Sequence, residues 1–416
     1  MRSFSITPVG VTLAAVVVAG LLATTPAIAA TPAVTTQALA ADAAFLAYGP
    51  APADGAGALC LVDTGVDVNP DTQAELISAT AVDGGTGNDV DPDEHGTTMA
   101  MIAGAAGHGM IGAWPQIKIV SVRATDVPQP GQEPTFEFDD YTLGMDQCIN
   151  DSADHVRAID LSLSSTIPPS PDQAQAFANA VGSADKQNIA IVAAAGNSPG
   201  AIEEPAAEPG VLAVGAGDRN NAICSFSATE NLTFYGPGCG LDQANPPTDQ
   251  PICCGNGTSQ AAAFAAAVLV ALMSYDPSLT YSAAEGLLVS TAVDGHLDAT
   301  AAFDAAGLQA IVAAGDANIP QASTSTTPSP QNPTGTSIAA LSVKTAHWTA
   351  GKLTLLVSGL GSDRLAVKLE YRRAKSREIS TRCSHTVIRT AKPSLVLLRV
   401  FAGTKQLQGP IKVHVT

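Results

Sequence analysis

Five short apolar runs separated by helical patterns constrain this chain more than any other feature. They fall at residues 58–62, 117–122, 158–163, 189–193 and 211–214. Each reads as a buried strand and not as an in/out alternation, which is the pattern of a parallel sheet with both faces covered. Helical periodicity fills the intervals and continues beyond them, at 95–106, 139–150, 172–185, 259–274 and 282–291. Strand and helix in this repeated order predict a doubly wound, mainly parallel α/β domain over residues 58–315.

The ends of the chain follow other rules. Arg2, an apolar stretch over 9–22 and the small-x-small triplet Ala27-Ile28-Ala29 make residues 1–29 a signal peptide. The stretch is shorter than the ~20 residues a membrane span needs. The expectation is therefore a protein that is exported, extracellular or cell-wall associated, with no transmembrane anchor after cleavage. Residues 316–337 are rich in Ser, Thr and Pro without apolar periodicity, which is a linker. Beyond it, residues 353–357, 365–371 and 395–401 alternate in the manner of half-buried strands. Residues 338–416 thus read as a small all-β domain, an Ig-like sandwich.

Composition narrows the function classes. With 46% hydrophobic and 14% charged residues the chain is not a disordered one. Its formal charge of −18 argues against a nucleic-acid-coating protein, but that total hides a division. Residues 338–416 carry 14 Lys/Arg against 3 Asp/Glu, whereas the remainder carries 6 against 35. The patch Arg372-Arg373-Ala374-Lys375-Ser376-Arg377 reads as a solvated hairpin, a site for an anionic cell-wall polymer, or a surface that docks onto the acidic domain itself. It lacks the interleaved aromatics of a nucleic-acid platform apart from Tyr371.

The seven cysteines suit an oxidising compartment. Cys60, Cys148, Cys224, Cys239, Cys253 and Cys254 form an even set in the acidic part, and six cysteines allow fifteen connectivities. A pairing of Cys60 with Cys148 is preferred, with the other four grouped and Cys383 left over as a free thiol or an intermolecular partner. None has zinc spacing.

Nucleophilic catalysis by serine requires a base, a group that orients the base, and donors aimed at the developing oxyanion. Asp63 ends the first strand in Leu61-Val62-Asp63-Thr64-Gly65. His95 opens a helix in Glu94-His95-Gly96-Thr97-Thr98, where Gly96 permits close backbone approach. Ser259 starts the most apolar helix in Gly257-Thr258-Ser259-Gln260-Ala261-Ala262. Asn197 ends a buried strand in Ala195-Gly196-Asn197. Taken singly, these are also a turn former, a structural histidine, an N-cap and a turn amide.

In the order Asp, His, Ser, with flanks DTG, HGT and GTS, the set resembles the subtilisin-like serine peptidases, the subtilases. The likeness spans about residues 58 to 300. It includes Gly112-Ala113-Trp114-Pro115, Leu161-Ser162-Leu163, the stretch from Pro205 through Gly210-Val211 to Val214-Gly215-Ala216, and Ser225-Phe226-Ser227 followed by Gly236-Pro237-Gly238. It implies a sheet of subtilisin type and hydrolysis of peptide bonds in a protein or peptide substrate through an acyl-enzyme. By this resemblance Asp63 orients His95, His95 takes the proton of Ser259, and Asn197 with the Ser259 N–H holds the oxyanion. Leu161, Ser162, Leu163 and Ser164 on one side, and Ala194, Ala195 and Gly196 on the other, would bind the substrate as an added strand.

Departures from the family pattern bear on specificity. Ser164-Ser165 stand where glycine is usual, Thr98 replaces a second histidine, and Ala263 and Phe264 replace Pro and His. Residues 30–57 are too few for the folding-assistant prodomain many subtilases carry. Asp89, Asp91, Asp93 and Glu94 precede His95. They read as a solvated acidic loop that raises the histidine pKa in preference to a calcium site, so no cofactor is expected for catalysis and no metal ligand is assigned, although structural calcium stays possible. Glu203, Glu204 and Glu208 either select basic substrate side chains or belong to an acidic surface. Gly335-Thr336-Ser337 repeats the serine motif without a helix or a histidine beside it, and is set aside. Two further readings remain: a dedicated cell-surface processing protease of narrow specificity, and a catalytically silent relative that acts through its β-module.

Overall fold

A computed structural model describes residues 33–34, 43–82, 91, 93–125, 137–151, 154–218, 220–245 and 250–319, together with seven tail strands between 342 and 413. For residues 33–34, 242–245, 250–254 and the tail strands the description is of the backbone alone. The signal segment, the linker from 320 to 337, Asp89 and residues 372–376 of the basic patch lie outside the described residues.

The chain order is β1 (Ala33–Val34), α1 (Ala44–Tyr48), β2 (Ala58–Asp63), β3 (Leu76–Ala81), α2 (His95–Gly104), β4 (Met110–Ile111) and β5 (Lys118–Arg123). Then come α3 (Phe138–Asn150), β6 (Val156–Leu161), α4 (Pro171–Lys186), β7 (Ala190–Ala194), β8 (Leu212–Gly217) and β9 (Phe234–Pro237). The hairpin β10 (Cys239–Asn245) and β11 (Gln250–Asn256) leads into α5 (Thr258–Tyr275), α6 (Tyr281–Thr291), α7 (Ala299–Ala305) and α8 (Gln309–Asn318). The tail follows with β12 (Ser342–Thr349), β13 (Lys352–Ser358), β14 (Arg364–Glu370), β15 (Arg377–Thr381), β16 (His385–Arg389), β17 (Leu395–Ala402) and β18 (Lys405–Val413). All five expected strands and all five expected helices of the catalytic part are present. One of these strands is shorter at its end than expected: the strand expected over 158–163 closes at Leu161 and leaves Ser162 to Ser164 outside the sheet.

Seven strands form one sheet in the order β3-β5-β2-β6-β7-β8-β9, with every neighbouring pair parallel. The apolar runs are explained by the two faces. Leu59 and Leu61 of β2 pack with α2 and α5 on one side, while Ala58, Cys60 and Val62 pack with Phe138, Tyr141 and Met145 of α3 and Phe177 of α4 on the other. The Cys60–Cys148 disulfide, the expected pairing, ties β2 to α3 inside this second layer. Its two ends are 88 residues apart, so closing the loop restricts the unfolded chain by on the order of 4 kcal/mol. Cys224 pairs with Cys239. The side chains of Cys253, Cys254 and Cys383 lie outside the description.

Two elements of the sheet escaped the sequence reading. β3 is an edge strand of mixed exposure, and β9, Phe-Tyr-Gly-Pro, is short and interrupted by glycine. Neither has the run of apolar residues that marks a strand buried on both faces. Helix α5 is long and apolar enough to cross a membrane but is buried along nearly its whole length as the central core helix. The tail strands pair antiparallel in a three-stranded sheet, β12-β13-β16, and a four-stranded one, β15-β14-β17-β18.

The strand order sets the place of the site. From β2 the chain runs out to β3 and returns through β5 to one side, then continues through β6 on the other. In open parallel sheets a ligand crevice forms beyond the carboxyl ends of strands at such a reversal. Asp63 ends β2, Leu161 ends β6 and Ala194 ends β7.

Candidate active site

Asp63 is 1% exposed, and its Oδ1 receives two donors, the Thr64 N–H and His95 Nδ1, each at 2.7 Å, with the Thr64 hydroxyl oxygen 3.2 Å away. Contact with the carboxylate makes Nδ1 the protonated nitrogen and leaves Nε2 as the working one. The imidazole side chain retains 26% exposure. Gly96 makes this approach possible, since a side chain there would collide with the Gly65 carbonyl and lie 3.0 Å from Asp63 Oδ1.

The acidic loop before His95 differs from the expectation at one residue. Asp91 is not solvated but buried, at 4% exposure. Its Oδ1 accepts from the Thr64 hydroxyl (2.7 Å) and the Asp93 and Glu94 N–H groups, and its Oδ2 accepts from the Thr97 N–H and hydroxyl, both at 2.7 Å. Five donors fill this carboxylate. It caps the Thr97 N–H in the first turn of α2 and the two N–H groups just before the helix, and through Thr64 it ties that turn to the Asp63 loop that holds His95. Among the described residues no group of three or more His, Cys, Asp or Glu side chains is arranged to hold a metal ion.

The expected electrostatic effect on His95 is present. Burial alone would lower its pKa, but the charge and hydrogen bond of Asp63, followed by the charges of Asp91 and Asp93, carry it up from 6.5 to about 9.

Ser259 lies in the first turn of α5 and is 7% exposed. Its hydroxyl donates to the Ser162 carbonyl at 2.7 Å, so its single proton points to that carbonyl and not to His95. The structure therefore joins Asp63 to His95 and Ser259 to Ser162. As a first-turn residue, Ser259 has a backbone N–H without an acceptor inside its helix.

Asn197 is exposed at the end of β7. Its Oδ1 accepts from the Thr258 N–H at 2.9 Å and the Thr258 hydroxyl at 3.2 Å. Two donors on one side of the amide determine which end is oxygen, and the NH2 group is left for another acceptor. Thr258 Oγ1 also receives the Gly196 N–H at 3.1 Å, so this fully buried threonine orients the amide from beneath. Thr258→Val keeps the volume and removes the two hydroxyl contacts, leaving the backbone N–H on Asn197 Oδ1. We expect kcat to fall about 10- to 100-fold with KM little changed, less than the ~10²–10³ typical of deleting an oxyanion donor outright. Steady-state kinetics on a peptide substrate check the split, and a change confined to KM would remove Thr258 from this role.

The substrate-binding expectation needs correction on one side. Ala195 donates to the Val214 carbonyl and accepts from the Glu203 N–H, while Gly196 donates to Thr258 and accepts from the Ala228 N–H. With these backbone groups engaged, Ala195 and Gly196 form a wall and not an edge on which a further strand can pair. Ala194 is the last sheet residue of β7 and is buried. Opposite, Leu161 closes β6, Ser162 is buried beneath Ser259, and Leu163 and Ser164 run on outside the sheet.

One residue had no role in the sequence reading. Asp160 is fully buried, and its Oδ2 lies 2.6 Å from Ser162 Oγ, which lies 3.0 Å from the Ser259 carbonyl oxygen. A serine hydroxyl has one proton. Both contacts become hydrogen bonds together only when the carboxyl of Asp160 is protonated and donates to Ser162, which then donates to the carbonyl. Burial, only partly offset by the Ser162 hydrogen bond, accordingly pushes the Asp160 carboxyl up to about 8. The signal was visible in Ala158-Ile159-Asp160-Leu161: a carboxylate within an apolar run must be paired or neutral.

The structure thus holds an Asp–His pair at the end of β2, a serine in the first turn of α5 and an exposed amide after β7, all at the carboxyl-end side of a parallel sheet. The model of the subtilase family matches residues 56–307, and the chain belongs to that family. It is 29% identical over 227 residues to the minor extracellular protease Epr of Bacillus subtilis (strain 168), a match covering 53% of this chain and 33% of that protein. It is 26% identical over 242 residues to subtilisin DY of Bacillus licheniformis, covering 56% and 82%. The chain thus spans about a third of the length of Epr. Among solved structures, S41 psychrophilic protease is a likeness of fold, with a TM-score of 0.53 and 21% identity over 63% of this chain and 91% of that one.

Proposed function

We propose that this chain is a secreted serine endopeptidase that cleaves protein or peptide substrates through a covalent acyl-enzyme. The observation that carries the reading is the 2.7 Å contact between buried Asp63 Oδ1 and His95 Nδ1, which leaves Nε2 as the basic nitrogen. In this reading Ser259 Oγ turns to His95, gives its proton to Nε2 and bonds to the scissile carbonyl carbon. The carbonyl electron pair moves onto oxygen, which the Asn197 NH2 and the Ser259 N–H receive. Collapse expels the amine, which takes the proton from His95. Water, deprotonated by the same nitrogen, then releases the acid and restores Ser259. No cofactor enters these steps, and calcium would be structural only.

The test is labelling by a fluorophosphonate probe of wild-type protein beside Ser259→Ala. Labelling of the wild type alone is expected, and an unlabelled wild type would favour the catalytically silent alternative. The histidine sets a second expectation. An imidazolium cannot accept a proton, so kcat/KM should rise with pH along a one-proton limb centred near 9 instead of 6.5. A limb at 6.5 would show that Asp63, Asp91 and Asp93 do not govern the base. The linked contribution to stability has the matching sign: present in full below about pH 6.5 and lost as pH rises through about 9.

A dedicated processing protease is the second reading, favoured by the contact of Ser164 with Glu203, which narrows the groove. Export and cell-wall association rest on the signal-like residues 1–29. We further propose that the tail is an Ig-like sandwich whose basic charge binds an anionic cell-wall polymer or the acidic domain, and not nucleic acid.

A further inference from the structure

We infer that Glu203 makes this site select a basic side chain, Lys or Arg, on the acyl side of the scissile bond. The inference rests on the serine-peptidase reading and names its substrate class. Glu203 spans the two substrate-binding runs. Its Oε2 accepts from the Ser164 hydroxyl at 2.7 Å, and its carboxyl lies so close to Gly196 that a side chain there would meet Glu203 Cδ at 2.5 Å. The serine found where the family pattern has glycine is therefore the group that holds this carboxylate between the runs.

Beside it opens a cavity of about 270 Å³, lined by Ser165, Thr166, Ser198, Ile202, Glu203 and Glu204 among others, with no Lys, Arg or His in its wall. The neighbouring Glu204 has its Oε2 buried without a hydrogen-bond partner. Backbone pairing of Ser165 with Glu204 in both directions, at 2.8 and 2.9 Å, fixes this wall. Of the Lys and Arg residues described before the tail, Lys118 and Arg157 stand at or near the starts of their strands, at the opposite end of the sheet, and Lys186 ends α4. Arg123 is buried at the end of β5, which β2 and β6 separate from β7. The Glu203 carboxylate stands at a recess whose lining supplies no counter-charge, and an arriving ammonium or guanidinium would provide it.

The test compares peptides that differ only at that residue, Lys, Arg, Gln, Leu or Phe, on wild type and Glu203→Gln, with fluorophosphonate labelling run on both. Wild type should cleave the Lys and Arg peptides with kcat/KM about 10- to 100-fold above the Gln peptide, and Glu203→Gln should bring that ratio to within about threefold. Benzamidine, a small amidinium, should slow labelling of the wild type. This arm needs no variant. A labelled wild type that prefers Leu or Phe, that cleaves none of the basic peptides, or that is indifferent to benzamidine overturns the pocket assignment and leaves the peptidase reading standing. A labelled Glu203→Gln that keeps the full preference also overturns it. An unlabelled wild type fails the peptidase reading itself.

Discussion

Asp63→Asn should lower kcat about 10⁴-fold while leaving the protein folded, a magnitude carried over from other serine triads. The carboxylate does two things that an amide cannot do together. Oδ1 accepts both the Thr64 N–H, which fixes the turn after β2, and the His95 Nδ1 proton, which selects the tautomer. An asparagine oxygen placed toward Thr64 keeps the turn, but an NH2 turned to the imidazole makes Nδ1 the acceptor and puts the proton on Nε2, where it blocks the base. The same change removes the largest influence that raises the histidine pKa, so the residual activity should have its acid limb well below 9. Circular dichroism and a pH profile of the remaining rate check both parts. A variant that keeps the wild-type midpoint would mean that Asp63 does not set the histidine.

Asp160→Asn should stabilise the protein at pH 8 by several degrees in Tm and change it little near pH 4. In the folded chain the carboxyl holds its proton up to about pH 8, whereas the ordinary value is 3.8. Between these values the folded state binds the extra proton, so stability falls as pH rises, by up to ~1.4 kcal/mol per pH unit. An amide donates to Ser162 Oγ at every pH and removes that loss. Melting curves in a Ser259→Ala background, which avoids self-digestion, read the effect directly. Equal destabilisation at both pH values would show that Asp160 is ionised beside Ser162 and that the hydroxyl relay to the Ser259 carbonyl is absent.

The layered sheet was legible in the sequence because burial on both faces leaves a direct mark. A strand such as 190–194 has no solvent side, and its residues are apolar throughout. The Asp, His, Ser and Asn positions could be singled out because each lies at or just past a strand end or at a helix start with glycine or threonine beside it. β3 and β9 were not, since an edge strand and a glycine-containing one carry weaker periodicity. Asp91 was misread for a related reason. Its five donors come from residues 64, 93, 94 and 97, and only the return of α2 against the Asp63 loop closes them around one carboxylate.

The sequence alone determined the class of sheet, the order of the chemistry-bearing residues and the division of charge between core and tail. Those depend on residue type and spacing along the chain. The tertiary structure decided which groups face one another across long separations. It brings Glu203 to Ser164, 39 positions earlier, and Ser162 to Ser259, 97 positions later. It also fills the backbone groups of Ala195 and Gly196, making a wall where an edge was expected. Hydrogen bonds act over about 3 Å in space, and no local pattern records which distant donor will occupy that distance.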